Sequence, residues 1–210
     1  SAMQTRHALV GVVEEALGVE LSDRIKYIRT IMDELQRIDS HLLFYSCCGQ
    51  DLGALTAFIY GMRDREEVLN VMEETTGGRL IQNYYRIGGC QEDIDVNLVE
   101  NVKKLCKYLK PKFKEYHDIL SSNRIFMNRF KGVGVLSKED AISYGCTGGT
   151  GRATGWANDV RKHHPYAMYD KVEFDEITFT HGDSYDRYLV RMAELEQSVR
   201  ILEQLIDNIP

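Results

Sequence analysis

The sequence predicts a mainly α-helical chain: an antiparallel helical bundle with a small irregular lobe, rich in glycine and partly β in character. Three observations predict it. Ile25, Ile28, Met32, Leu35, Ile38 and Leu42 recur at steps of three and four, the spacing of one buried helical face. Leu189, Met192, Leu195, Val199, Leu202 and Leu205 repeat that spacing later in the chain. Between the two, residues 131–182 lose the helical period and carry the run Gly148-Gly149-Thr150-Gly151-Arg152-Ala153-Thr154-Gly155. The organisation implied is a helical core over 3–130, an irregular lobe over 131–182 and a helix over 183–210 that returns to the bundle.

Element by element, residues His7 to Leu17 form a first helix closed by Gly18. Ser22 is placed to cap the long helix that follows, with Asp23 favourable in its first turn. A second apolar helix runs from after Asp51 to Tyr60, with a bend at Gly61, and a third spans Asp64 to Thr75 before Gly77-Gly78. Tyr84 to Asp95 reads as a loop. Asn97 to Tyr116 is a long amphipathic helix kinked or broken by Pro111, and the helical pattern continues from His117 to Phe130. Val133 to Leu136 is a candidate short strand, Ser137 caps a short helix, and Gly145 to Gly155 reads as irregular. Asp183 to Asp207 is the closing helix.

With 210 residues, 43% of them hydrophobic, the chain is long enough to bury a sizeable core. Its net charge is −6 with acids and bases interleaved, which argues against a nucleic-acid partner. The lysines from Lys103 to Lys114 read as the wet face of a helix. Cys47, Cys48, Cys90, Cys106 and Cys146 are odd in number and contain no C-x-x-C pair, so neither a disulfide framework nor a zinc or iron–sulfur site built from this chain is indicated. No run approaches the ~20 apolar residues of a membrane span; work at a membrane would proceed by docking. Ser1-Ala2 reads as a cloning remnant, and residues 4–8 as lying inside a helix already under way, so the chain reads as a piece of a longer subunit.

Two constellations and two weaker motifs carry chemistry. Asp51 sits between Cys47-Cys48 and Gly53-Ala54-Leu55; an acid in such apolar company is paired, shifted in pKa or facing a wet cavity, or else caps the next helix. Glu34, Arg37 and His41 share one helical stripe, so a buried polar network that keeps helices in register is sterically open to them. The 148–155 run lacks the Gly-Lys-Ser/Thr of a phosphate loop and the strand–turn–helix setting of a dinucleotide fingerprint, so NAD binding is not indicated. His163-His164 reads as a solvated turn, and no metal is assigned.

A family resemblance runs through much of the chain in order. It is carried by Tyr27-Ile28-Arg29, Glu34-Leu35, Arg37-Ile38, Ser40-His41-Leu42, Asp51-Leu52-Gly53-Ala54-Leu55-Thr56 and Arg63-Asp64-Arg65-Glu66. It continues in Gly77-Gly78-Arg79, Asn83-Tyr84, Arg86-Ile87-Gly88-Gly89, Lys131-Gly132-Val133-Gly134-Val135, Gly151-Arg152-Ala153-Thr154-Gly155 and Asp159-Val160-Arg161-Lys162. It closes with Asp183, Tyr185-Asp186-Arg187, Arg191-Met192 and Gln197-Ser198-Val199-Arg200-Ile201. These residues resemble the D-type, quinone-site subunit of respiratory complex I, NADH:quinone oxidoreductase, whose superfamily includes the nickel–iron hydrogenase large subunits.

The resemblance implies a hydrogenase-large-subunit-like helical fold and a place in the quinone-reaction chamber of an enzyme that couples NADH oxidation to ion translocation. It implies that Asp51 lies at the quinone-site wall, orienting a histidine from elsewhere in the subunit, with Cys47 where relatives carry a threonine. It implies that Arg79 and Ile81 face the terminal four-iron cluster of a neighbouring subunit, Ile81 standing where relatives carry a histidine. No cofactor is implied for this chain itself: quinone is a substrate, and the cluster belongs to the partner. The implied partners are that iron–sulfur subunit, other peripheral-arm subunits and a membrane-embedded quinone-channel subunit, on the cytoplasmic side of the membrane. The piece alone is expected to be inactive. Two alternatives remain at this point: the large subunit of an energy-converting hydrogenase, and a non-catalytic scaffold, the latter favoured by Cys47 and Ile81.

Overall fold

The computed structural model describes residues 2–94 and 96–210, Val96 by its backbone alone. Its spine is α2 (Asp23–Asp51), whose first turn is closed by the Ser22 hydroxyl accepting from the Ile25 amide. The periodic face Ile28, Ile31, Met32, Leu35, Ile38 and Leu42 is buried against neighbouring helices on several sides. α1 (Ala2–Leu17) precedes it, and α3 (Leu55–Thr76) folds back along it after the three-residue turn 52–54. α3 is one helix where two are expected around a bend at Gly61. Gly61 serves packing instead: a Cβ there would stand 2.2 Å from the Ser46 hydroxyl and 2.8 Å from the Tyr45 ring.

The segment expected as a loop from Tyr84 holds a small hairpin, β1 (Tyr85–Arg86) against β2 (Gly89–Cys90), antiparallel with Tyr85 opposite Cys90. The end of that expected loop, Asp95, lies outside the described residues. Arg29 pins the hairpin to the bundle, donating to the Arg86 and Gly89 carbonyls while pairing with Glu14.

α4 (Val96–Tyr116) runs through Pro111 without breaking. Lys107 and Pro111 are both exposed, so the carbonyl that loses its donor faces water. A single π turn (His117–Ser121) follows, and Asn123 then starts α5 (Arg124–Phe130), interrupting the helix expected over 117–130.

Residues 131–182 hold only short elements: α6 (Lys138–Ser143, capped by Ser137), α7 (Gly148–Arg152), α8 (Val160–His163) and a 3-10 turn at Tyr169–Lys171. The strand expected at 133–136 does not form: Gly132 and Gly134 take φ +70 and +61, which break an extended run. Part of the glycine-rich run expected to be irregular is helical, because Gly151 lets the Cys146 carbonyl come within 2.6 Å of where a Cβ would sit.

α9 (Ser184–Asn208), capped by the Asp183 carboxylate, closes the bundle. It lies antiparallel to α2, since Glu34 meets Ser198 while His41 meets Glu194. It also lies antiparallel to α4, through Lys103–Asp207 and Lys110–Glu203. The architecture is a mainly helical bundle with one two-stranded hairpin among the described residues.

Candidate functional site

Asp51 is the last residue of α2 and is exposed. Among the described residues its carboxylate makes no hydrogen bond or ion pair. Asp51 does not cap the next helix as its position suggests: the residue before α3 is Ala54, with no side-chain cap. The turn is closed by backbone bonds, Gly53 N–H donating to Gln50 and Ala54 N–H to Gly49, with Gly53 at φ +82, and Arg129 donates to the Leu52 carbonyl at 3.5 Å. Cys47 lies one turn earlier and is exposed, with the partly exposed Leu43 one turn before it on the same stripe. Across the turn, Leu55 and Ile59 stand 59% and 53% exposed. An unpaired carboxylate and a thiol therefore sit among uncovered apolar side chains at one end of the bundle.

Behind this end, Cys48 is half-buried. Burial first, then the Asp51 charge, push its thiol up to about 11, with Arg191 opposing, so it stays protonated near neutral pH.

Glu34, Arg37 and His41 lie along α2 as the stripe requires, but their chief partners come from far along the chain. Glu34 is fully buried and accepts from Tyr169 at 2.6 Å, Ser198 at 2.6 Å, Arg161 at 3.1 Å and Arg37 at 3.3 Å. Burial alone would raise its pKa; Arg37, Arg161 and the two hydroxyls outweigh that and hold it at about 2. Arg161 is itself gripped by Asp159 through Nε at 3.0 Å and Nη2 at 2.7 Å. His41 joins a neighbouring cluster: its Nε2 meets Glu194 at 2.8 Å, and Arg152 binds the other carboxylate oxygen. Burial lowers the His41 pKa against the opposing pull of Glu194. The two clusters are linked by charge, since Glu194 also acts on Arg37.

Sequence reasoning missed the roles of Glu194, Tyr169, Arg152, Asp159, Arg161 and Ser198 in this network. Polar interruptions on the apolar stripe of α9 signal Glu194 and Ser198, and Arg152, Asp159, Arg161 and Ser198 stand in the motifs that carry the resemblance, with no partner specified there.

Arg79 and Ile81 follow the α3 cap Gly77, which sits at φ 72. Arg79 reaches back along α3 to pair with Glu73 and Glu66. Glu66 is eleven positions after Leu55, about 16 Å along the helix axis. Among the described residues no hydrogen bond or ion pair joins Arg79 to Asp51. Ile81 is 80% exposed, beside an exposed Leu80.

Elsewhere, a groove of about 720 Å³ lies between α4 and α9, lined by Phe113, His117, Leu189, Met192 and Val199. No group of three or more His, Cys, Asp or Glu among the described residues is placed to hold a metal, and no helix among them is long and apolar enough to cross a membrane.

Residues 51–210 match the model of the family described as respiratory-chain NADH dehydrogenase, 49 Kd subunit. The chain belongs to this family. Over 209 residues it is 64% identical to the C/D-type subunit of NADH-quinone oxidoreductase from Phocaeicola vulgatus, covering all of this chain and 40% of that protein. It is 46% identical over 209 residues to a C/D-type subunit of the same oxidoreductase from Aquifex aeolicus, covering all of this chain and 36% of that protein. It is 40% identical over 210 residues to the D-type subunit of NADH-quinone oxidoreductase from Bacillus cytotoxicus, covering all of this chain and 57% of that protein. The chain thus spans between about a third and somewhat over half of these relatives. Within the 49 kDa family, the hydrogenase and scaffold alternatives are not favoured.

Proposed function

We propose that this chain forms part of the quinone-reaction chamber of an NADH:quinone oxidoreductase coupled to ion translocation, with the Asp51 end of the bundle as one wall. The observation that carries the reading is the exposed, unpaired Asp51 set among the uncovered side chains of Leu43, Cys47, Leu55 and Ile59. A carboxylate with no partner among the described residues is free to orient a group from another segment, and the apolar rim suits a quinone ring. Reducing a quinone to quinol consumes two protons as well as two electrons. Asp51 serves by polarising a histidine supplied from elsewhere in the subunit, which delivers one of those protons. Cys47 sets the polarity of the rim.

Glu34, Arg37 and His41 act structurally. With Arg161 and Arg152 they tie the 131–182 lobe to the bundle of 3–130 and 183–210, so that the wall is rigid. Arg79 and Ile81 face the subunit that carries the terminal four-iron cluster; Ile81 presents no titratable group, so it leaves the cluster's potential uncoupled from a local proton. Further partners are other peripheral-arm subunits and a membrane-embedded subunit that channels quinone. The chain is peripheral on the cytoplasmic side, and alone it is inactive.

Photolabelling of the assembled complex with an azidoquinone tests the reading. Label mapping to residues 43–59, and lost in the presence of excess quinone, is the expected result; label confined to other segments contradicts it.

A further inference from the structure

Arg191 differs from the other buried or half-buried arginines of the 131–182 lobe and α9. Arg152 and Arg161 are each paired with carboxylates, and Arg187 donates to the Gly182 and Gly134 carbonyls and the Ser184 hydroxyl. Among the described residues the Arg191 guanidinium makes one hydrogen bond, from Nη1 to the Arg187 carbonyl at 2.6 Å. Among the described residues no carboxylate oxygen lies within ion-pair distance of it. Its guanidinium lies over the Phe44 ring, 4.5 Å from the centroid, and its other face borders α7, where a Cβ at Gly149 would stand 3.4 Å from Nη1. The plane is thus held by packing, while its remaining donors meet no acceptor among the described residues. Glu194, whose negative charge acts on Arg191, is already taken up by His41 and Arg152. Burial, and behind it the Arg152 and Arg187 charges, hold the Arg191 pKa below the ordinary arginine value against the pull of Glu194. This cation is short of an anion.

Its position names the anion. Phe44, Cys48 and Asp51 fall at steps of four and three on α2, so Arg191 and Asp51 flank Cys48 on one helical face, and both charges act on that thiol. Phe44 and Asp51 are about 10 Å apart along the helix axis, a span that one quinone ring bridges with a hydrogen-bond partner at each oxygen. We propose that Arg191 is a positioning residue for the quinone: it donates to the carbonyl oxygen at the end of the ring away from Asp51 and holds the negative charge that gathers there during reduction. The electrons come from the partner's iron–sulfur cluster and the two protons from the Asp51 side and from solvent; Arg191 supplies neither, and its charge is unchanged across the reaction. This rests on the chamber reading of the Asp51 end.

The test uses the assembled complex in membranes, carrying Arg191→Gln, Arg191→Lys or Asp51→Asn. Two inhibitors serve as probes: a hydroxynaphthoquinone that is anionic at neutral pH, and its neutral methyl ether. Arg191→Gln is expected to weaken the anionic probe by about 10- to 100-fold, the range for losing a hydrogen bond to a charged group, while the neutral ether changes by less than about twofold. Arg191→Lys is expected to keep the preference for the anion and to raise the quinone KM a few-fold, because its ammonium lacks the planar fork. Equal weakening of both probes marks a purely structural residue and overturns the proposal, as does no change in either. If Arg191→Gln does not assemble, the Lys variant decides: wild-type quinone KM together with wild-type inhibition by both probes overturns the proposal. Slow quinone reduction in Asp51→Asn with no probe discrimination at Arg191 removes this proposal alone. Normal quinone reduction in Asp51→Asn removes the chamber reading and this proposal with it.

Discussion

Glu34→Gln is the sharpest test of the buried network, because it keeps the shape of the side chain and removes only its charge. The carboxylate is held at a pKa of about 2 against an ordinary 4.5. At 1.36 kcal/mol per unit this is about 3 kcal/mol of stability at neutral pH. The figure agrees with the ~3–5 kcal/mol cost of breaking a buried ion pair; in the variant, one amide nitrogen also faces Arg161 or Ser198 in place of an accepting oxygen. Because the folded pKa is depressed, the contribution is fully present above the unfolded value near 4.5 and is lost as pH falls towards about 2. For a chain of this size 3 kcal/mol corresponds to a Tm drop of about 6–12 °C at pH 7. At pH 3 most of the wild-type advantage is gone, and the gap narrows to about 1 kcal/mol. Thermal and urea unfolding of the two chains at both pH values measures this. A gap under about 1 kcal/mol at pH 7, or one that does not change with pH, refutes the electrostatic account.

Two further outcomes follow from the same geometry. Gly182 takes φ +65, and a Cβ there would meet the Leu136 carbonyl at 2.1 Å, whereas Gly18 takes φ +64 in open space; Gly182→Ala should therefore lose clearly more than the ~1–2 kcal/mol of backbone strain expected for Gly18→Ala, and equal losses in urea unfolding would contradict the close approach. His41, whose pKa burial holds below its ordinary value, contributes stability above pH 6.5 that is lost as pH falls; His41→Gln should flatten the decline in Tm between pH 7 and 5, and an unchanged slope would show that His41 titrates normally.

How much of this was legible in the sequence depends on the range of each interaction. The stripe from Ile25 to Leu42, the Ser22 and Ser137 caps and the closing helix are local, and a few consecutive side chains specify them. Gly61 reads as a bend because a glycine that bends a helix and one that admits a neighbouring helix look alike in one dimension; the Tyr45 and Ser46 contacts separate them only in space. Pro111 reads as a breaker, but its exposed position on α4 leaves the freed carbonyl to water. In the 131–136 segment, glycines at positive φ defeat the strand that the valines suggest. The candidate site divides the same way. Glu34, Arg37 and His41 announce a stripe on one helix, but the partners that make it a network stand 127 to 164 residues away, beyond any periodicity. Asp51 was conspicuous by its company alone, and only the folded chain excludes the helix-cap explanation for it.

That exclusion sharpens the most direct measurement of the central claim. Asp51→Asn, made in the intact oxidoreductase, keeps side-chain size and removes the charge. With no cap to lose, the folded bundle should be undisturbed. NADH oxidation by quinone should slow by about one to two decades, below the usual range for losing an acid or base because Asp51 acts through the histidine it orients. Reduction of a hydrophilic artificial acceptor upstream of the quinone site should stay at the wild-type rate in the same membranes. Normal quinone reduction, in a complex assembled to normal levels, would contradict the assignment of the Asp51 end to the quinone chamber.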